Sequence, residues 1–222
     1  MSRAIHCNAA LQSILRFALL AGLFLATAGN AVAQEEANLG PLSPADAERL
    51  SARSLSDWEG TPLPVVEKML ELAHVRPGEL VYDLGSGDGR ILIMAAQKFG
   101  ARGVGIELDP RRSKLSLERI DRLGLSEHVQ IIQGDVLEQD LSSADVVTVY
   151  MTRYAMQKLQ PRLEKFLRDG TRLVVCTDEL PGRKPSQTIS ATAENKRTYE
   201  LRLYVFSRPE GWTSFSKFGK RR

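Results

Sequence analysis

The run Val81-Tyr82-Asp83-Leu84-Gly85-Ser86-Gly87-Asp88-Gly89-Arg90 constrains this chain more than any other stretch. It begins with apolar and aromatic residues suited to a buried strand and then passes through glycine at alternate positions. It ends in Arg90 and the apolar run Ile91-Leu92-Ile93-Met94-Ala95-Ala96, which reads as a helix. Strand, glycine turn and helix in that order bring a ligand against backbone amides at a helix N-terminus. Glycine is required where the chain takes positive φ, or where a ligand comes closer than a Cβ allows.

The spacing separates two kinds of nucleotide site. A dinucleotide fingerprint reads G-x-G-x-x-G. Here Gly89 follows Gly87 by two residues, not three, and Asp83 closes the strand. A carboxylate at that point repels a pyrophosphate and attracts an ammonium group. The ligand that fits is a cationic nucleoside amino acid, S-adenosylmethionine. Asp83, Gly85, Gly87 and Gly89 match D-x-G-x-G-x-G, and here the chain resembles the class I methyltransferases in their first motif. Ser86 and Asp88 lie between those glycines and belong to the same expected cofactor turn. A blander reading stays open from these residues alone: a glycine turn that only lets a helix pack closely on a strand.

Around this run the chain alternates between strand and helix, as a parallel sheet requires. Val65, Val66, Met69, Leu70 and Ala73 recur at helical spacing, and Pro77-Gly78 stops that helix. Strands are predicted at Leu80 to Leu84, Gly103 to Glu107, Val129 to Gln133, Val146 to Tyr150 and Thr171 to Cys176. Helices are predicted from Arg90 to Phe99, from Pro110 to about Leu123 and from about Tyr154 to Leu167. After Cys176 the prolines Pro181 and Pro185 leave no room for a crossover helix. Thr188 to Ala193 and Tyr199 to Phe206 then read as an antiparallel hairpin at the sheet edge. The expected fold is α/β and Rossmann-like: a mostly parallel seven-strand sheet, helices on both faces, and that C-terminal hairpin.

In an open parallel sheet the ligand sits beyond the carboxyl ends of the strands. Glu107 closes the second strand, where an acid accepts the hydroxyls of a ribose, and Asp109 is the weaker candidate for that role. Asp135 and Val136 follow the third strand. Tyr150, Met151 and Thr152 follow the fourth. The class I resemblance implies an adenine contact at Asp135 and Val136 and a cofactor- or substrate-facing position at Tyr150. The N/D-P-P-Y/F motif of enzymes that methylate adenine or glutamine amides is absent at this point, which argues against those acceptors.

A closer resemblance covers about Thr61 to Pro185. TPLPVVEKMLELA, VYDLGSGDGRILIMAA, GARGVGIELDP and ADVVTVYM are similar to the protein-lysine methyltransferases of the mitochondrial adenine nucleotide translocase and the ATP synthase c-subunit. The resemblance implies a protein substrate, a membrane protein included, with lysine as acceptor. It also implies that Thr61 and Pro62 border the cofactor pocket and that Glu67 faces it. Tyr150, Glu67 and Asp88 are candidates to stand near the acceptor amine, and none is assigned as a base. Methylation of a small molecule, methylation of RNA and cofactor binding without turnover stay open beside this reading.

The outer segments carry different signals. Arg3 and Arg16 precede an uncharged run from Phe17 to Ala28, and Ala31-Val32-Ala33 offers a small-x-small cleavage pattern. Residues 1–33 therefore read as a secretory signal, giving an exported or periplasmic protein, or as an uncleaved inner-membrane anchor that would hold the protein at a membrane. Residues 34–60 are a polar lead-in, residues 61–207 the methyltransferase domain, and residues 208–222 a basic tail. With two cysteines, Cys7 and Cys176, there is no disulfide framework, and no Cys/His cluster points to a metal. The net charge of +3 is too small to argue for nucleic acid. Arg111, Arg112, Lys114, Arg119 and Arg122 make one basic helix, which reads as a solvated face without an aromatic stacking platform.

Overall fold

The structure is a computed structural model that describes residues 39–55 and 59–207. The apolar N-terminal segment and the basic tail lie outside the described residues. In chain order come α1 (Pro44–Arg53), α2 (Leu63–Leu72), β1 (Leu80–Leu84), α3 (Arg90–Phe99), β2 (Arg102–Glu107), α4 (Pro110–Arg122), β3 (Val129–Gln133), β4 (Val146–Val149), α5 (Arg153–Phe166), β5 (Arg172–Cys176), β6 (Gln187–Thr192) and β7 (Thr198–Val205).

The seven strands form one sheet in the order β3-β2-β1-β4-β5-β7-β6. β1 pairs in parallel with β2 on one side and β4 on the other. β7 runs antiparallel to both β5 and β6, which is the expected hairpin inserted at the edge. The strand order reverses at β1, so the crevice that such a sheet opens for a ligand lies at the carboxyl end of β1.

Both sheet faces are covered, so the inner strands are apolar on both sides. Val81, Val146, Val174 and Cys176 face one core with α2, α3 and Ile120 of α4. Tyr82, Leu84, Val147, Val149, Leu173 and Val175 face the other, against Met156, Leu159 and Leu163 of α5. Fully burying one such side chain contributes about 1.5–3 kcal/mol. Within the first face Asp83 stands beside Thr148, its register partner on β4. This is a polar pair in an apolar layer.

Helix starts follow their capping residues. Ser43, Asp109 and Thr152 accept from the first-turn amides of α1, α4 and α5. The sequence expectation for α2 began at Val65. The helix instead starts at Leu63, because Pro62 serves as its N-cap and Pro64 fits the first turn. β4 ends at Val149, one residue before the expected Tyr150, whose side chain turns out to other partners.

Candidate active site

The turn after β1 is held by its neighbours before any ligand is considered. The amides of Gly85 and Ser86 both donate to the Ile106 carbonyl of β2, at 2.9 and 3.0 Å. The Gly87 amide donates to Glu107 Oε2 at 2.7 Å. Gly85 has φ +76, and a Cβ there would stand 2.7 Å from Met151 Cε. Gly89, at φ +78, is the left-handed N-cap of α3. Both positions lie where side chains are disfavoured, so the alternate glycines are what the turn demands.

One cavity opens beyond this turn. Its lining includes Asp83, Gly85, Ser86 and Asp88 from the turn, Glu107 from β2, Asp135 and Val136 after β3, and Tyr150 and Met151 after β4. The sequence-predicted residues thus meet at one place, with Gly87 and Gly89 shaping the turn from behind. Thr61 also lines the cavity. Pro62 and Glu67 do not. The expectation that Pro62 borders the pocket is corrected by its role as helix cap, and Glu67 pairs instead with Lys98 of α3. Asp109 is also removed from contact: it caps α4 and binds Arg111 and Arg112.

The polar lead-in supplies wall residues that its composition did not announce. Leu50, Arg53, Ser54, Leu55, Glu59 and Gly60 all line the cavity. Arg53 Nη1 bonds Glu138 Oε1 at 2.7 Å and stands 3.7 Å from Asp135 Oδ2. Glu59 accepts from the Tyr150 hydroxyl at 2.7 Å. Ser43 caps and Pro44 opens the helix that carries Leu50 and Arg53 to this wall, and that pair is the local sequence signal that the stretch folds.

The acids on the floor behave differently from one another. Asp83 is fully enclosed, and burial raises its pKa to about 7. Thr148 Oγ1 donates to it and opposes that rise, while Glu107 and Asp88 add to it. Burial also works upward on Asp88, but Arg90 and Arg119 outweigh it and hold the carboxyl below its ordinary value. A carboxylate committed to two guanidiniums is a poor proton acceptor, which removes Asp88 from the candidates for a base. Burial keeps Glu107 above the usual range, although the amides of Asp109 and Gly87 and the charge of Arg112 pull it down.

The residues present fit S-adenosylmethionine. Asp83 is an enclosed acid whose side-chain partner is a hydroxyl, Thr148, and not a cation, which leaves it poised for an ammonium group. Glu107 has two backbone amides on its two oxygens and further lone pairs for a diol. Ser86 Oγ is buried and has no hydrogen-bond partner among the described residues, which leaves a polar atom at the turn for a ligand. Among the described residues no group of three or more His, Cys, Asp or Glu side chains converges to hold a metal.

Residues 83–187 match the family model of the ANTKMT methyltransferase domain. A protein-lysine N-methyltransferase of Saccharolobus islandicus is 39% identical over 146 residues, which cover 65% of this chain and 90% of the relative. The chain belongs to the ANTKMT methyltransferase family. A lysine N-methyltransferase of the ATP synthase c-subunit from Xenopus laevis is 31% identical over 136 residues, which cover 61% of this chain and 59% of that relative. A solved structure titled an RNA methyltransferase from Salinibacter ruber, in complex with S-adenosyl-L-homocysteine, is 41% identical with a TM-score of 0.62. The match covers 68% of this chain and 97% of that one. This member of the ANTKMT methyltransferase family is an S-adenosylmethionine-dependent methyltransferase with the Rossmann-like fold, as the sequence motif implied.

Proposed function

We propose that the protein transfers a methyl group from S-adenosylmethionine to a lysine amine of a protein substrate. The observation that carries this reading is the 39% identity to a protein-lysine N-methyltransferase across 90% of its length. In this reading Asp83 receives the amino group of the cofactor and Glu107 the ribose hydroxyls. Ser86, Gly85 and Gly87 cradle the amino-acid end, Asp135 and Val136 flank the adenine, and Asp88 with Gly89 keeps the turn in shape.

When bound, the cofactor supplies an electrophilic methyl on a sulfonium, and its S–C electron pair stays on sulfur as the amine nitrogen forms the new N–C bond. The protein's task is then alignment, which can contribute about 7–11 kcal/mol to the rate. The cavity fixes one partner on the strand ends and leaves the other side, at Tyr150 and Glu59, for the acceptor. Burial and the neighbouring Glu59 push the Tyr150 phenol far above its ordinary pKa. Tyr150 therefore acts as a neutral hydrogen-bonding group, not as a phenolate base.

The likeness to the Salinibacter ruber RNA methyltransferase favours RNA as a second reading. Against it, the basic helix α4 spends Arg111 and Arg112 on Asp109 and Arg119 on Asp88. Tritium transfer from labelled cofactor to a protein fraction, an RNA fraction and a metabolite extract separates the readings. Label in protein, resolved to methylated lysine after hydrolysis, supports the first; label in RNA alone rejects it.

We also propose that residues 1–33 bring the enzyme to a membrane or export it, so that its substrate is a membrane or envelope protein. The charge pattern and the small-x-small site support this. Cell fractionation with N-terminal sequencing tests it: a mature start at Gln34 in a periplasmic fraction means export, and the intact N-terminus in the inner membrane means anchoring. The full chain in a soluble cytosolic fraction rejects both.

A further inference from the structure

The mouth of the cavity holds a positive charge of the protein's own. Arg197, from the turn between β6 and β7, places its guanidinium 4.8 Å from the centre of the Tyr199 ring. It pairs with Glu59, and its Nη2 donates to the Tyr150 hydroxyl oxygen at 3.4 Å. The Tyr150 hydroxyl donates in turn to Glu59 Oε2 at 2.7 Å. The two tyrosine rings meet edge to face, 6.1 Å apart at 78°. A carboxylate, a phenol oxygen and an aromatic face therefore converge on one cation. An aromatic face joined to a carboxylate suits an ammonium group as well as a guanidinium.

The position matters as much as the chemistry. Glu59 and Tyr150 line the cofactor cavity, whereas Arg197 and Tyr199 stand outside its lining. Tyr150 follows the strand whose Thr148 bonds Asp83, so the seat and the acidic floor are two residues apart on one chain segment. Nothing in the fold requires Arg197 to stay. Its side chain is 49% exposed, Glu59's is 50%, and the neighbouring Lys196 sits in a tight turn at φ 65. An ion pair this exposed is a weak hold that solvent and salt readily compete with.

We propose that Glu59, Tyr150 and Tyr199 form the seat for the acceptor's amine, and that Arg197 fills this seat until the substrate displaces it. The inference rests on the lysine reading above. A lysine carries a compact ammonium on a flexible four-carbon stem. It can reach into the seat from outside and find the carboxylate and ring face that Arg197 now covers. Tyr150, keeping its proton, offers its free lone pair to the incoming amine and orients it toward the cavity.

The test uses the full chain, tritiated S-adenosylmethionine and a histone mixture as the lysine-bearing probe. Arg197→Ala removes the occupant and should lower the KM for the probe by up to about fivefold, the factor matching an exposed pair. Its cofactor Kd should stay at the wild-type value, since Arg197 does not line the cavity. Glu59→Gln removes the attracting charge and should raise the same KM by about tenfold, as loss of a charge-assisted bond does. Opposite signs support the seat. If Arg197→Ala raises KM alongside Glu59→Gln, or if neither variant changes it, the seat is overturned while lysine methylation stands. If the wild type labels RNA and no protein, the lysine reading falls, and the seat falls with it.

Discussion

Thr148 Oγ1 donates to Asp83 Oδ1 at 2.7 Å between two adjacent parallel strands. That hydroxyl is the side-chain partner of an acid buried to 2% exposure. A carboxylate in such a place is costly until a cation arrives, and its pKa of about 7 states that cost. The ordinary value is 3.8. Between those two values the folded protein holds a proton that the unfolded chain has released, so stability falls as pH rises through that window. Asp83→Asn should therefore make the ligand-free protein more stable at pH 8, by up to about 4 kcal/mol, and nearly neutral at pH 4. Thermal melts at the two pH values check this. A lower Tm for the variant at pH 8 would refute the picture of a strained acid.

The same carboxylate should make cofactor binding pH-dependent. The ammonium group binds the ionised form, so affinity should rise with pH up to about 7 and fall again once the cofactor's own α-amino group, with an ordinary pKa of about 7.7–8.0, loses its proton. Below about pH 7 each pH unit costs about tenfold in Kd. Calorimetry in buffers of different ionisation enthalpy should show a proton released on binding at pH 6 and, as the free α-amino group is then largely neutral, a proton taken up at pH 8.5. Asp83→Asn should bind weakly at every pH, with a flat profile below pH 7. A flat profile in the wild type would remove Asp83 from the amino-group role.

Glu107 both braces the turn and stands ready for a diol. Its Oε2 accepts from Gly87 and its Oε1 from Asp109, at 2.7 and 2.8 Å. In Glu107→Gln one of those amides would face an NH2 group. The expected result is a double loss: a fall in stability of about 1–3 kcal/mol for the donor left unsatisfied, and a cofactor Kd at least tenfold weaker. Chemical denaturation and calorimetry measure the two losses separately. Normal stability with weakened binding would mean that Glu107 serves the ligand alone.

The core of this site was legible in the sequence because its signals are local. An acid at a strand end and glycines at alternate positions specify a turn within a few residues, and Glu107 follows from strand order alone. The hairpin that inserts β7 beside β5 was readable for a similar reason: prolines forbid the crossover that a parallel strand needs. What was missed depends on contacts distant along the chain. Thr148 matters only through the register of β1 on β4, across a separation of 65 residues. Glu59 meets Arg197 across 138 residues. Neither has a pattern in its own neighbourhood. Glu67 failed in the other direction: the family resemblance implied that it faces the pocket, but the helix phase turns it toward Lys98.

α1 has no buried residue and still helps wall the cavity through Leu50 and Arg53. A helix without a buried face is held by polar ties, and here these are Arg53 to Glu138 and Asp135, beside the Thr152 hydroxyl on the Leu55 carbonyl. Ties of that kind contribute about 0.2–1 kcal/mol each. The amides of α1 should therefore exchange with solvent far faster than those of α3, whose Leu92 and Ala95 are fully enclosed. Arg53→Ala should speed α1 exchange further and weaken cofactor binding by up to about fivefold, yet leave the Tm of the ligand-free protein unchanged, because no core contact is lost. Saturating cofactor should slow α1 exchange in the wild type more than in the variant. If Arg53→Ala lowers the ligand-free Tm by several degrees, α1 belongs to the structural core and the polar-tie account is wrong.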